Sequence, residues 1–72
     1  MEFNLRNFIK SKIILAGMTM RDVAEMLHLK YGRSDSVSNL SGKLSRGSLR
    51  YDEVMEIADV PGYDIIWKRR DV

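Results

Sequence analysis

The residues best equipped for chemistry lie close together. Between Ser36 and Arg46 the chain reads SVSNLSGKLSR. Ser36, Ser38 and Ser41 bring hydroxyls that donate and accept, Asn39 brings a carboxamide that can do both at once, and Lys43 brings a cation. Gly42 adds no side chain at all. This set suits short-range hydrogen bonding to a polar, anionic surface. It does not suit acid–base or nucleophilic catalysis. Cysteine is absent and His28 is the one histidine, with no second ligand or nucleophile beside it. No glycine-rich phosphate loop is present, and the carboxylates are spread along one helical face without an apolar setting to shift them. The expectation is a non-enzyme with no catalytic residues, no metal site and no cofactor.

Four short helices are predicted to position these groups, in an all-α fold with one domain over residues 1–72. The first helix spans about 5–16. Asn4 is placed to cap it, Gly17 to stop it, and Leu5, Phe8, Ile9, Ile13 and Ala16 share one side. Ile14 and Leu15 widen that arc, which predicts burial on more than one side. The second helix spans about 20–29. Thr19 caps it with Asp22 three residues on, and Met20, Val23, Ala24 and Leu27 follow helical spacing. Residues 30–35 read as a turn, since Gly32 permits positive φ and Ser34 and Asp35 favour local backbone bonding. Asp35 or Ser36 then caps a third helix, about 37–45, with Val37, Leu40 and Leu44 facing inward. Its outer residues are small, polar and poor helix formers, unlike a face chosen for solubility alone. A fourth helix, about 51–60, carries Tyr51, Val54, Ile57 and Ala58 as its apolar stripe and Asp52 and Glu53 in its first turn. Pro61 and Gly62 stop it.

Size and charge narrow the partners. A chain of 72 residues has a marginal core and needs close packing or a second copy for stability. The formal net charge is only +2, but it is unevenly placed. Residues 30–50 carry Lys30, Arg33, Lys43, Arg46 and Arg50 against the single acid Asp35. Residues 52–64 carry Asp52, Glu53, Glu56, Asp59 and Asp64 and no base. A positive and a negative face follow, and the positive one suits a polyanion. No apolar run approaches the ~20 residues of a membrane span, and the N-terminus lacks a secretory cleavage pattern. The expected location is the cytoplasm.

The tail YDIIWKRRDV alternates like a strand over about 63–68 and is rich in aromatic and β-branched residues. A lone strand needs a partner. Residues 1–5 could supply one, and so could the same strand of a second copy, which would place Tyr63, Ile65, Ile66 and Trp67 at a two-fold dimer interface. The other outcome is that Ile65 and Trp67 pack on the chain's own core.

Ala16-Gly17-Met18-Thr19, then Val23-Ala24-Glu25-Met26-Leu27, then the Ser-rich third helix, then Glu56-Ile57-Ala58 resembles the phage-repressor-like, XRE-type helix-turn-helix family over roughly residues 5–60. The resemblance implies a helical DNA-binding domain, a transcriptional regulator that binds as a homodimer. Ala24 matches the small residue between the two motif helices, Thr19 the cap, and Leu40 and Leu44 the anchors of the recognition helix. Two departures stand out. Met20 occupies a position where the family usually has Gln, and the link between the second and third helices is several residues longer than usual. Two registers of the third helix remain open, one exposing Ser38 and Asn39, the other Ser41, Gly42 and Lys43. On this reading Asn39 would contact adenine and Lys43 guanine or phosphate. Ser36, Ser38 and Ser41 would bond phosphates or base edges. Thr19, Arg21, Lys30, Arg33, Arg46 and Arg50 would hold the backbone. The two recognition helices of a dimer would lie about 34 Å apart. A rival from another class is an antitoxin-like adaptor that engages a protein through the acidic fourth helix and the hydrophobic tail.

Overall fold

The computed structural model describes residues 4–71, and its four helices follow the expected order: α1 (Leu5–Leu15), α2 (Met20–Tyr31), α3 (Val37–Arg46) and α4 (Tyr51–Asp59). The fold of the described residues is all-α. No strand forms among them.

The first three helices start on caps that the sequence specifies. The Asn4 side chain accepts from the Asn7 N–H at 3.0 Å. Thr19 and Asp22 form a reciprocal capping box, Thr19 Oγ1 accepting from the Asp22 N–H at 3.1 Å and Asp22 Oδ2 accepting from the Thr19 N–H at 2.9 Å. Ser36, rather than Asp35, caps α3 by accepting from the Asn39 N–H at 3.1 Å. At α4 the cap residue is Arg50, whose guanidinium has no acceptor. Only the return half of a capping box forms there, the Glu53 carboxylate accepting from the Arg50 N–H at 3.1 Å.

Helix α2 is longer than the spacing of its apolar residues predicts. Lys30 and Tyr31 belong to its last turn, not to a loop, and the chain leaves the helix at Gly32 with φ +69°. The left-handed conformation at Gly32 is the stop signal, and glycine accepts it without a Cβ penalty. The link to α3 is therefore Gly32 to Ser36.

The core is built from every helix: Ile9 and Ile13 of α1, Val23 and Leu27 of α2, Leu40 and Leu44 of α3, and Ile57 of α4. Val23, Leu40 and Leu44 are its most completely enclosed side chains. Met20, Ala24, Leu49 and Val54 pack against its edge. The expected burial of α1 on several sides does not occur. Ile14 and Leu15 are 72% and 73% exposed, because the other three helices cover only the Ile9–Ile13 side. Val37 and Val54 are half-buried, and Tyr51 is exposed. No described helix is long and apolar enough to cross a membrane.

The tail departs most from its alternating pattern. Residues 63–71 are non-helical and unpaired as strand within one chain. An isolated strand has no ladder to join, and residues 1–3, part of the alternative partner, lie outside the described residues. The tail instead lies beside the groove between α1 and α4, which Tyr63, Ile65 and Ile66 line together with Phe8, Ile9 and Ile57.

Candidate nucleic-acid interface

Helix α3 is seated by its leucines. Leu40 and Leu44 lie against the core at 2% exposure each, which points the opposite side of the helix outward. At 100° per residue the outward positions are Ser38, Asn39, Gly42, Ser45 and Arg46. Ser38, Asn39, Ser45 and Arg46 are exposed, and Gly42 is half-buried beneath Arg46. This is the first of the two registers, with Ser38 and Asn39 free. Ser41 and Lys43 are half-buried at the flanks. Ser45 was not among the expected site residues, although its place seven residues after Ser38 sets it on the same side.

Lys43 is turned away from that face. Its ammonium lies 2.9 Å from Glu53 Oε2 and 3.3 Å from Asp35 Oδ2. The Lys43 pKa is raised, first by its bond to Glu53 and then by Asp35. Glu53 is itself buried, and Lys43 and the Arg50 N–H hold its carboxyl below the ordinary value. Lys43 thus joins α3 to α4, and its expected role in reading guanine or phosphate is displaced by two carboxylates inside the molecule.

Arg33 and Lys30 are bound in the same way. Arg33 makes a bidentate pair with Glu56, Nε to Oε1 and a terminal nitrogen to Oε2, both 2.7 Å, with Asp52 at 3.7 Å. This fork geometry is the strong form of the ion pair, and it raises the Arg33 pKa. Lys30 and the Tyr31 hydroxyl both donate to Asp59 Oδ2, and they lower its pKa in that order. His28 Nδ1 lies 3.0 Å from the Arg33 carbonyl, to which it can only donate. The end of α2 and the α2–α3 link are therefore fastened along α4, at Asp59 and at Glu56. The acidic and basic stretches of the sequence face each other at Glu53, Glu56 and Asp59.

The remaining basic groups stay on the surface. Arg21 and Arg46 carry no ion pair among the described residues, and Arg46 lies across Gly42 of its own helix. Arg50 is 3.9 Å from both Asp52 and Glu53, with its side chain 75% exposed. Thr19 and Ser36 accept backbone bonds at the starts of α2 and α3, yet each hydroxyl keeps a proton to donate. Met20, where a Gln was of interest, packs against the core edge.

The expected dimer residues are all exposed, Ile66 at 81% and Trp67 at 84%. Trp67 Nε1 donates to the Tyr51 hydroxyl at 2.8 Å, and their rings meet edge to face. Lys12 places its ammonium 5.5 Å from the centroids of both Phe8 and Tyr63. No group of side chains suited to a metal ion occurs among the described residues.

No family model, curated protein or solved structure matches the chain.

Proposed function

We propose that the chain is a sequence-reading, double-stranded-DNA-binding protein of helix-turn-helix type, a small cytoplasmic transcriptional regulator that acts as a homodimer. The observation that carries the reading is the outer face of α3. It offers Ser38, Asn39, Gly42, Ser45 and Arg46 to the outside while Leu40 and Leu44 anchor the helix. A helix with small polar groups outward can approach base edges closely in a major groove. Asn39 is the adenine-reading group on this proposal. Arg21 and Arg46 neutralise phosphate, Arg50 assists them, and Thr19, Ser36 and Ser38 donate to phosphate oxygens. Lys43 ties the reading helix to α4, while Lys30 and Arg33 tie the end of α2 and the link to the same helix.

The adaptor alternative has weaker support from its acidic helix, because Glu53, Glu56 and Asp59 are each engaged by a cation of the same chain.

Fluorescence anisotropy of a labelled random duplex, titrated at several salt concentrations, tests the reading. Binding whose logarithm falls linearly with the logarithm of salt supports phosphate contacts. An Arg46→Ala variant should then flatten the slope by about one unit. Absence of binding at low salt sinks the DNA reading. Once a preferred site is selected, Asn39→Ala should cost ~1–3 kcal/mol and relax preference at one base pair.

A further inference from the structure

The tail is chemically complementary to itself. Tyr63 and Ile65, each 38% exposed, lean on the body, whereas Ile66 is 81% exposed. Trp67, 84% exposed, touches Tyr51 by its ring nitrogen and ring edge. Paired as a strand, the odd-numbered residues of this tail share one face and the even-numbered ones the other. After the Tyr63 N–H, which donates to the Ala58 carbonyl at 2.9 Å, no backbone hydrogen bond joins residues 64–71 to the other described residues. A run of backbone with unmet donors and acceptors is a template for pairing.

An antiparallel pairing of two tails centred on Ile66 satisfies both faces. On the outward face Asp64 of one copy lies opposite Lys68 of the other, with Ile66 opposite itself on the two-fold axis. On the inward face Ile65 lies opposite Trp67, and Tyr63 opposite Arg69. These are an opposite-charge pair, an aliphatic pair, an aromatic–β-branched pair and a cation–aromatic pair, all favourable across strands. Moving the centre by one residue to Ile65 sets Asp64 opposite Ile66 and Tyr63 opposite Trp67, leaving the charge unmatched. A centre at Trp67 keeps an opposite-charge pair, Asp64 with Arg70, but sets Ile66 against Lys68 and Ile65 against Arg69.

We infer that the occupant of this tail is the tail of a second copy, paired antiparallel in the register that puts Ile66 on the two-fold axis, with Asp64 and Lys68 as the charges that select it. The two tails form a two-stranded ribbon whose Tyr63–Ile65–Trp67 face packs on both helical bodies. A ribbon alone is marginal, and that packing supplies its support. The inference deepens the homodimer part of the proposed function and is independent of whether the dimer binds DNA.

The absence of cysteine allows a clean test on the full chain. Cα atoms of directly opposed residues are about 4.5–5.5 Å apart, inside the range a disulfide spans. Ile66→Cys should therefore oxidise to a covalent dimer. Asp64→Cys should not, since its two copies lie about 13 Å apart along the ribbon, but mixing it with Lys68→Cys should give a heterodimer. Sedimentation of the uncrosslinked charge variants is the second readout. Asp64→Lys or Lys68→Asp alone should weaken dimerisation about tenfold, and the double exchange should restore it. A wild-type chain that sediments as a monomer overturns both the ribbon and the homodimer reading. A wild-type dimer in which Ile66→Cys fails to crosslink, or Asp64→Cys crosslinks to itself, or the double exchange fails to restore association, overturns the ribbon alone.

Discussion

Replacing Gly42 by alanine should raise stability and lower DNA affinity in the same molecule. Gly42 lies inside α3, where glycine costs about 0.5–1 kcal/mol relative to alanine. A Cβ built there meets one neighbour closely, a terminal nitrogen of Arg46 at 2.9 Å. That atom is the end of a flexible, exposed side chain and can step aside, so most of the gain should survive. For a domain of this size the midpoint of thermal unfolding should rise by about 3–6 °C. The same methyl stands on the face proposed to meet DNA. If that face approaches another surface closely, the intrusion resembles overpacking, ~1–3 kcal/mol, or roughly ten- to hundredfold in Kd. Gly47→Ala is the control. Gly47 has φ +66° and open space around its Cβ position, so alanine there should cost about 1–2 kcal/mol through backbone conformation alone. Circular dichroism melts and anisotropy titrations give both quantities. A Gly42→Ala protein that is more stable and binds DNA unchanged would remove α3 from the interface. One that is less stable would mean Arg46 cannot yield.

Further outcomes follow from the same geometry. Leu40→Ala should cost ~2–5 kcal/mol, enough in so small a core to leave the chain largely unfolded by circular dichroism; a cooperative melt near the wild-type midpoint would refute its central place. Lys43→Met should lower the melting midpoint but leave the salt slope of DNA binding unchanged, whereas a drop of one unit would return Lys43 to the phosphate-contacting set. Stability should fall at both ends of the pH scale. Glu53, Asp59 and Asp22 have folded pKa values below the ordinary 4.5 and 3.8, so their stabilisation is present above those values and is lost as pH falls through the lower folded ones. Lys43 and Lys30 are raised above 10.5, so theirs is complete below 10.5 and is lost as pH climbs through the folded values. The pairs of Lys30 and Asp59 are solvent-screened and weak, which assigns most of the acid edge to Glu53. Melts of Glu53→Gln should show a flatter acid edge, and an unchanged edge would contradict that assignment.

What the sequence by itself determined is local. Helical spacing of apolar residues and the caps Asn4, Thr19 and Ser36 act within one or two turns, so the number, order and starting points of the four helices were legible. Leu40 and Leu44 were legible as inward-facing residues, but the choice between the two registers of α3 was left to the tertiary structure. Tertiary structure decided where the long cations go. Lys30, Arg33 and Lys43 meet acids 10 to 29 residues further along the chain, and no periodicity reports such partners. A charge count divides the sequence into a basic and an acidic segment, but folding brings the two into contact, because partly buried carboxylates such as Glu53 and Glu56 require cations beside them. The end of α2 was likewise set by the αL conformation at Gly32 rather than by its last core residue, Leu27. The tail shows the limit from the other side. Its alternation was plain in the sequence, but a strand exists only with a neighbour, and the described residues of a single copy do not provide one.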